Sequence, residues 1–303
     1  MSETVAIIGC GLIGRAWAIV FARAGCAVRI WDASPEVLAG IGPALESACR
    51  EAGEDRGILS RITAHATMAK ALEGASWVQE NGPEKLDVKK AIYAELDAVA
   101  APDAILASSS SALVASQFAE GLAGRGRILV AHPVNPPHVI PVVELCPSPD
   151  TAPETMNRAG ALMRKVGQVP VPMSREIDGF ILNRLQGVLL AEALRLVDEG
   201  IVSVDGLDDT LRHGLARRWV LLGALGTINL NAPGGVADYL DRYGPTMARL
   251  ADDAARGEAF TAQAVEKLAA ALPGPARVAE LSERRDRQLT ALARFLDTMK
   301  EED

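Results

Sequence analysis

A 303-residue chain that is 49% hydrophobic and 23% charged has enough apolar residues for one large or two ordinary globular domains. Its formal net charge of −8 argues against a polyanionic partner, so no nucleic acid is expected. No apolar run reaches the ~18 residues that a membrane span requires, so no membrane partner is expected.

Residues 5–14, VAIIGCGLIG, read as a short buried strand running directly into Gly9-x-Gly11-x-x-Gly14, and residues 15–23 continue at helical spacing. Gly9 permits a tight turn, Gly11 lets backbone approach a pyrophosphate, and Gly14 lets helix pack close to strand. The phosphates would rest on the free N–H groups that open the helix, so Gly9, Gly11, Leu12, Ile13 and Gly14 form the expected cofactor loop. A second strand, residues 27–31, ends at Asp32, 18 positions after Gly14. A carboxylate there can accept both ribose hydroxyls and repel a 2′-phosphate, so NAD is the expected cofactor. The first strand opens within a few residues of Met1, leaving no room for a signal peptide, and the expected compartment is the cytoplasm. Cys10, Cys26, Cys49 and Cys146 lack metal-type spacing and read as small core residues in a reducing compartment; no metal is expected. Cys10 lies inside the glycine turn, where alkylation would block the cofactor.

Further along, residues 35–61 read as polar and helical. Strands are expected over 76–80, 104–107, 128–131 and 140–145, helices over 87–99 and 154–166, and a last extended piece over 168–172. Such alternation predicts an α/β fold with a doubly wound, mostly parallel sheet of Rossmann type. From Ile177 the pattern changes. Residues 180–198 are apolar at 3.6-residue spacing and stop at Gly200, and 204–215, 235–255, 261–271 and 278–298 are further helix candidates. The expected division is therefore an NAD-binding domain over 1–175 and an all-α domain over 176–303, with residues 300–303 frayed.

Ligands of open parallel sheets bind beyond the carboxyl ends of the strands. Those ends deliver the glycine turn, Asp32, Glu80-Asn81-Gly82-Pro83, four serines at 108–111, and His132-Pro133-Val134-Asn135-Pro136-Pro137. The prolines should reverse the chain and bring Glu144 beside His132, an imidazole–carboxylate pair suited to general-base work near neutral pH. The alternative is a core histidine bonded to backbone. The serine run is either a polar loop or a set of donors, with no spacing to choose among its members. Asn183, on an apolar helix, is either a satisfied core amide or a ligand contact. Neither His65 nor His213 has such a context, and His138 reads as a surface turn residue.

Taken together, the glycine loop, Pro83-Glu84 with Lys89, the serine run, His132 with Glu144, and Gly179-Phe180-Ile181-Leu182-Asn183-Arg184-Leu185 resemble the L-3-hydroxyacyl-CoA dehydrogenase superfamily. Segments such as Ala131-His-Pro-Val-Asn-Pro-Pro137 and Asn229-Leu-Asn-Ala232 resemble its lambda-crystallin branch, which includes L-gulonate 3-dehydrogenase. This resemblance implies that His132 takes a hydroxyl proton, Glu144 holds the imidazole, Ser111 and Asn183 bond the substrate oxygen, and Glu84 and Lys89 touch NAD. It also implies a homodimer formed by the helical domain, with substrate between the two domains. Where the acyl-CoA enzymes read Ser-Asn-Thr-Ser-Ser, this chain has Ser108-Ser109-Ser110-Ser111-Ala112. Residues 46–60 carry four acidic side chains against two arginines, an unsuitable lining for the nucleotide of coenzyme A. A small free hydroxy acid is therefore the expected substrate. Arg218 is either its anchor or one of a solvated pair with Arg217. The alternatives are a 3-hydroxyacyl-CoA dehydrogenase or β-diketone reductase, and, in another class, a non-catalytic crystallin-like protein.

Overall fold

The computed structural model describes residues 3–254 and 256–299; the fraying expected over 300–303 lies outside them. Eight strands, β1 (Thr4–Ile8), β2 (Ala27–Trp31), β3 (Ile62–Ala64), β4 (Trp77–Glu80), β5 (Ile105–Ser108), β6 (Ile128–Pro133), β7 (Val142–Pro147) and β8 (Val169–Pro172), form one sheet. Their order is 3-2-1-4-5-6-7-8. All pairs are parallel except β6 with β7. The chain leaves β1 toward β2 and returns to its other side at β4, so a topological switch point lies at their carboxyl ends.

Helices cover both faces of the sheet, which explains why its central strands are continuous apolar runs rather than alternating ones. In β1, Val5 and Ile7 enter one core layer with Trp17 and Phe21 of α1 (Leu12–Arg23). The intervening Ala6 and Ile8 enter the other layer with Tyr93 and Phe118. Burying a side chain such as Phe21, fully inaccessible here, is worth roughly 1.5–3 kcal/mol.

The stretch 35–61, expected as helical, is broken in two places. One helix, Pro35–Ala39, stops at Gly40; the next, Ile41–Glu51, is followed by Gly53 at φ 68°. A 3₁₀ turn over Arg56–Arg61, capped by Asp55, then leads into β3. That strand was not expected, because with three residues and only Ile62 turned inward it shows no period. Short helices at Met68–Leu72 and Ala115–Ala119 were also unforeseen, as was the longer Ala216–Asn229, which is interrupted by Gly223 at φ 70°. Residues 204–215 divide into an α-helix, Val204–Asp209, and a π-helical turn, Thr210–Leu215.

Two compact units result, residues 1–181 with 279–303, and residues 182–278. This grouping and the expected division at 175 differ chiefly in the terminal helix Val278–Met299, most of which joins the first unit. There Thr290 donates to the Glu51 carbonyl at 3.0 Å and Arg294 to the Gly53 carbonyl at 3.1 Å. The second unit consists of helices and their connections, with no strand among its described residues.

Candidate active site

The glycine loop is built for an anion. Gly9 adopts φ 91°, and a Cβ there would come within 2.8 Å of the Asn81 carbonyl. At Gly14 a Cβ would lie 1.9 Å from the Gly9 carbonyl, so neither position can hold a side chain without moving backbone. Gly11 differs: nothing lies within 4 Å of its missing Cβ, and it caps α1 with no side-chain acceptor. The start of α1 thus has room beside Gly11 and no side chain capping its N–H groups, as pyrophosphate binding requires. Asp32 is pinned beside them, its Oδ2 accepting from the Cys10 N–H at 2.6 Å and its Oδ1 from the Ser34 N–H at 2.8 Å. Each oxygen keeps a further lone pair for a ribose hydroxyl. The loop and Asp32 thus fit NAD. Alkylation of Cys10 is disfavoured: the side chain is buried, and burial, with Asp32 adding to it, pushes the thiol up to about 12.

Beneath this cradle the serines divide their work. The Ser109 hydroxyl accepts from Trp17 Nε1 at 3.1 Å and Gln79 Nε2 at 2.8 Å, and donates to Asn81 Oδ1 at 2.7 Å. It is fully used in tying β5 to β4 and α1. Ser108 donates to Glu80 Oε2 at 2.8 Å. Ser110 donates to Glu84, whose Oε1 also accepts from the Ala112 and Leu113 N–H groups at 3.0 and 3.1 Å. Partial burial pushes the Glu84 carboxyl up, but these bonds and the charge of Lys89 outweigh it and hold the group below the usual range. Glu84 thereby fixes the loop carrying Ser111, which is exposed. Lys89 is 1% exposed and turns its ammonium onto Glu80 at 2.9 and 3.1 Å. The signal for this was present: Lys89, Tyr93 and Leu96 form the inward stripe of the helix Leu86–Val99 at i, i+4, i+7.

The antiparallel pairing of β6 with β7 sets His132 directly opposite Glu144. Both are almost completely buried, and His132 Nδ1 lies 2.8 Å from Glu144 Oε2. An ionised carboxylate can only accept, so Nδ1 carries the proton and Nε2 is the nitrogen available as base. Glu144 Oε1 accepts the Ile181 N–H at 2.8 Å, and the Phe180 ring packs on the imidazole with centroids 5.2 Å apart. Phe180 attracted no role in the sequence, where it reads only as an apolar helix residue.

Asn183, partly buried, stands in the first turn of the helix Leu182–Asp198, and Arg218, exposed, near the start of Ala216–Asn229; both belong to the second unit. Arg217 reaches His213 Nδ1 at 3.1 Å. His138 corrects the expectation of a surface turn residue. Its side chain is 2% exposed, because helix Val278–Met299 and the end of Ile41–Glu51 pack over the turn that carries it.

Known proteins resemble this chain over most of its length. Residues 4–177 match the family model of the 3-hydroxyacyl-CoA dehydrogenase NAD binding domain, and residues 179–269 match that of the C-terminal domain. The chain is 42% identical to lambda-crystallin of Oryctolagus cuniculus over 96% of its own length and 95% of the relative's. It is 36% identical to L-carnitine dehydrogenase of Streptomyces griseus, over 80% of this chain and 74% of that one. Among solved structures, 5-formyl-3-hydroxy-2-methylpyridine 4-carboxylic acid 5-dehydrogenase, an NAD+-dependent dismutase, superposes with a TM-score of 0.85 at 26% identity, covering 98% of this chain and 99% of that one. Matched along nearly its whole length, the chain belongs to the 3-hydroxyacyl-CoA dehydrogenase family and is an NAD-dependent oxidoreductase.

Proposed function

We propose that this chain oxidises the 3-hydroxyl of a small free hydroxy acid, L-gulonate or a close relative, with His132 as general base. The observation that carries the reading is the buried His132–Glu144 pair at 2.8 Å, at the same sheet edge as the glycine loop. The loop 9–14 and Asp32 would hold NAD, which when bound supplies the hydride-accepting nicotinamide. Nε2 of His132 takes the proton from the substrate hydroxyl, and Glu144 stabilises the resulting imidazolium. Ser111 lies on the loop that Glu84 fixes and is assigned to the substrate oxygen. The roles of Asn183 and Arg218 rest on the family resemblance. The NAD contacts assigned to Glu84 and Lys89 rest on the same resemblance, and the buried ammonium of Lys89 is held by Glu80.

A free acid is favoured over a thioester by residues 46–60. Arg56 in that segment is already paired with Glu46, and Glu54 with Arg23 at 3.8 Å, which leaves little positive charge for a nucleotide phosphate. The likeness to an L-carnitine dehydrogenase points the same way, since carnitine is itself a free 3-hydroxy acid. A homodimer through the second unit belongs to the same reading. The helix Gly235–Asp253 exposes Val236, Leu240, Tyr243, Met247 and Leu250 as one stripe, an apolar face that a second copy would cover. The test is NADH formation from a panel of free 3-hydroxy acids that includes L-gulonate. Turnover of at least one supports the reading; none with any of them overturns it.

A further inference from the structure

Gly179 and Phe180 are consecutive residues in left-handed backbone, at φ 75° and 51°. Glycine tolerates this region; a bulky aromatic residue rarely enters it, and Phe180 is the one non-glycine with positive φ among the described residues. Strain of this kind persists only where surrounding contacts enforce it, and it gathers at functional sites. Here it has two visible effects. The Phe180 ring, fully buried, is set 5.2 Å from the His132 ring at an interplanar angle of 41°. The next N–H, that of Ile181, is aimed at Glu144 Oε1 at 2.8 Å, while Oε2 of the same carboxylate meets His132 Nδ1. One tight turn thus grips both members of the pair, the imidazole by its face and the carboxylate by its far oxygen. Relaxing Phe180 to negative φ would withdraw the ring and the N–H together.

We infer that Phe180 is a positioning residue: through its left-handed turn it restricts rotation of His132 and keeps the proton on Nδ1, so that Nε2 faces the reaction. This rests on the proposed role of His132 as base. The ring is not a reacting group and needs no contact with substrate. A residue that merely filled core volume would be replaceable by leucine without consequence for the tautomer.

Three variants of the full-length protein separate the contributions. Phe180→Tyr keeps the ring, Phe180→Leu keeps the apolar bulk, and Phe180→Gly relieves the backbone while deleting the ring. Long-range ¹H–¹⁵N spectra of the His132 imidazole report its tautomer without any substrate. Turnover of L-gulonate with NAD, beside the NADH dissociation constant, reports the consequence. In the parent protein and Phe180→Tyr the neutral imidazole should carry its proton on Nδ1. Phe180→Leu and Phe180→Gly should show both tautomers and a kcat about tenfold lower, with NADH binding within about twofold of the parent. If one variant fails to fold, the contrast between tyrosine and the other still decides. An unchanged tautomer in the leucine or glycine variant overturns the positioning role. Absence of L-gulonate turnover in the parent would count against the substrate reading instead, and the tautomer spectra would then decide the inference alone.

Discussion

Asp32 governs cofactor choice by charge. With both oxygens fixed by backbone N–H groups, it cannot swing away from a 2′-phosphate. A preference for NAD over NADP of at least about tenfold in kcat/KM, equivalent to about 1.4 kcal/mol, should follow. Equal values with the two cofactors would remove Asp32 from that role. His132→Ala should lower turnover by about 10²–10⁴ while NADH still binds, since the base is lost and the cradle is not. Glu144→Gln should be impaired as well, because the imidazolium loses its counter-charge; a His132→Ala enzyme that keeps most of its activity would contradict the mechanism. Asp32 and His132 were legible because each stands where a predicted strand ends, and Glu144 because the proline-rich turn folds its strand back beside His132. Ser109 and Phe180 were not. Ser109 is one of four identical neighbours, and its role as acceptor for Trp17 depends on a contact 92 positions away in the chain. The turn at Phe180 depends on two left-handed residues that no periodicity announces.

At the scale of elements, most strands and most long helices were readable, whereas the three-residue β3, the five-residue helices Met68–Leu72 and Ala115–Ala119, and Ala216–Asn229, broken at Gly223, were not. Buried strands such as β1 and β6 announce themselves as apolar runs. An edge strand of three residues, and helices of five residues held by a single cap such as Thr67, carry too little pattern. The terminal helix Val278–Met299 was read as a helix from its spacing, but its packing partner could not be read. Its seat has a titratable centre in His138, which faces Arg23 from α1, Glu51 at 3.9 Å from the helix Ile41–Glu51, and Asp286 from the terminal helix itself. Burial, reinforced by Arg23 and opposed by Asp286, pushes the imidazole down to about 4. The folded state therefore binds this proton less readily than the unfolded chain, whose histidines titrate near 6.5. Stability is undiminished above that pH and falls as the solution is acidified toward 4. From pH 7 to pH 5 the loss from this one group should be about 2 kcal/mol. Denaturation of the parent and of His138→Gln at both pH values checks it. The variant should lose correspondingly less on acidification, and equal losses in the two proteins would show that the seat does not titrate.

For the whole molecule, among the described residues no helix is long and apolar enough to cross a membrane. The apolar stripe of Gly235–Asp253 gives the assembly prediction. Sedimentation should return a mass near twice the 31.9 kDa chain, and a concentration-independent mass of one chain would count against a homodimer. Substitution of Leu240 and Met247 by charged residues should shift the protein toward the monomer. The central claim is that this family member works on a free hydroxy acid and not on a thioester. Its most direct test is a comparison of kcat/KM for L-gulonate and for 3-hydroxybutyryl-CoA, each with NAD, on the same preparation. The free acid should be the better substrate; efficient turnover of the thioester with none of L-gulonate would contradict the account.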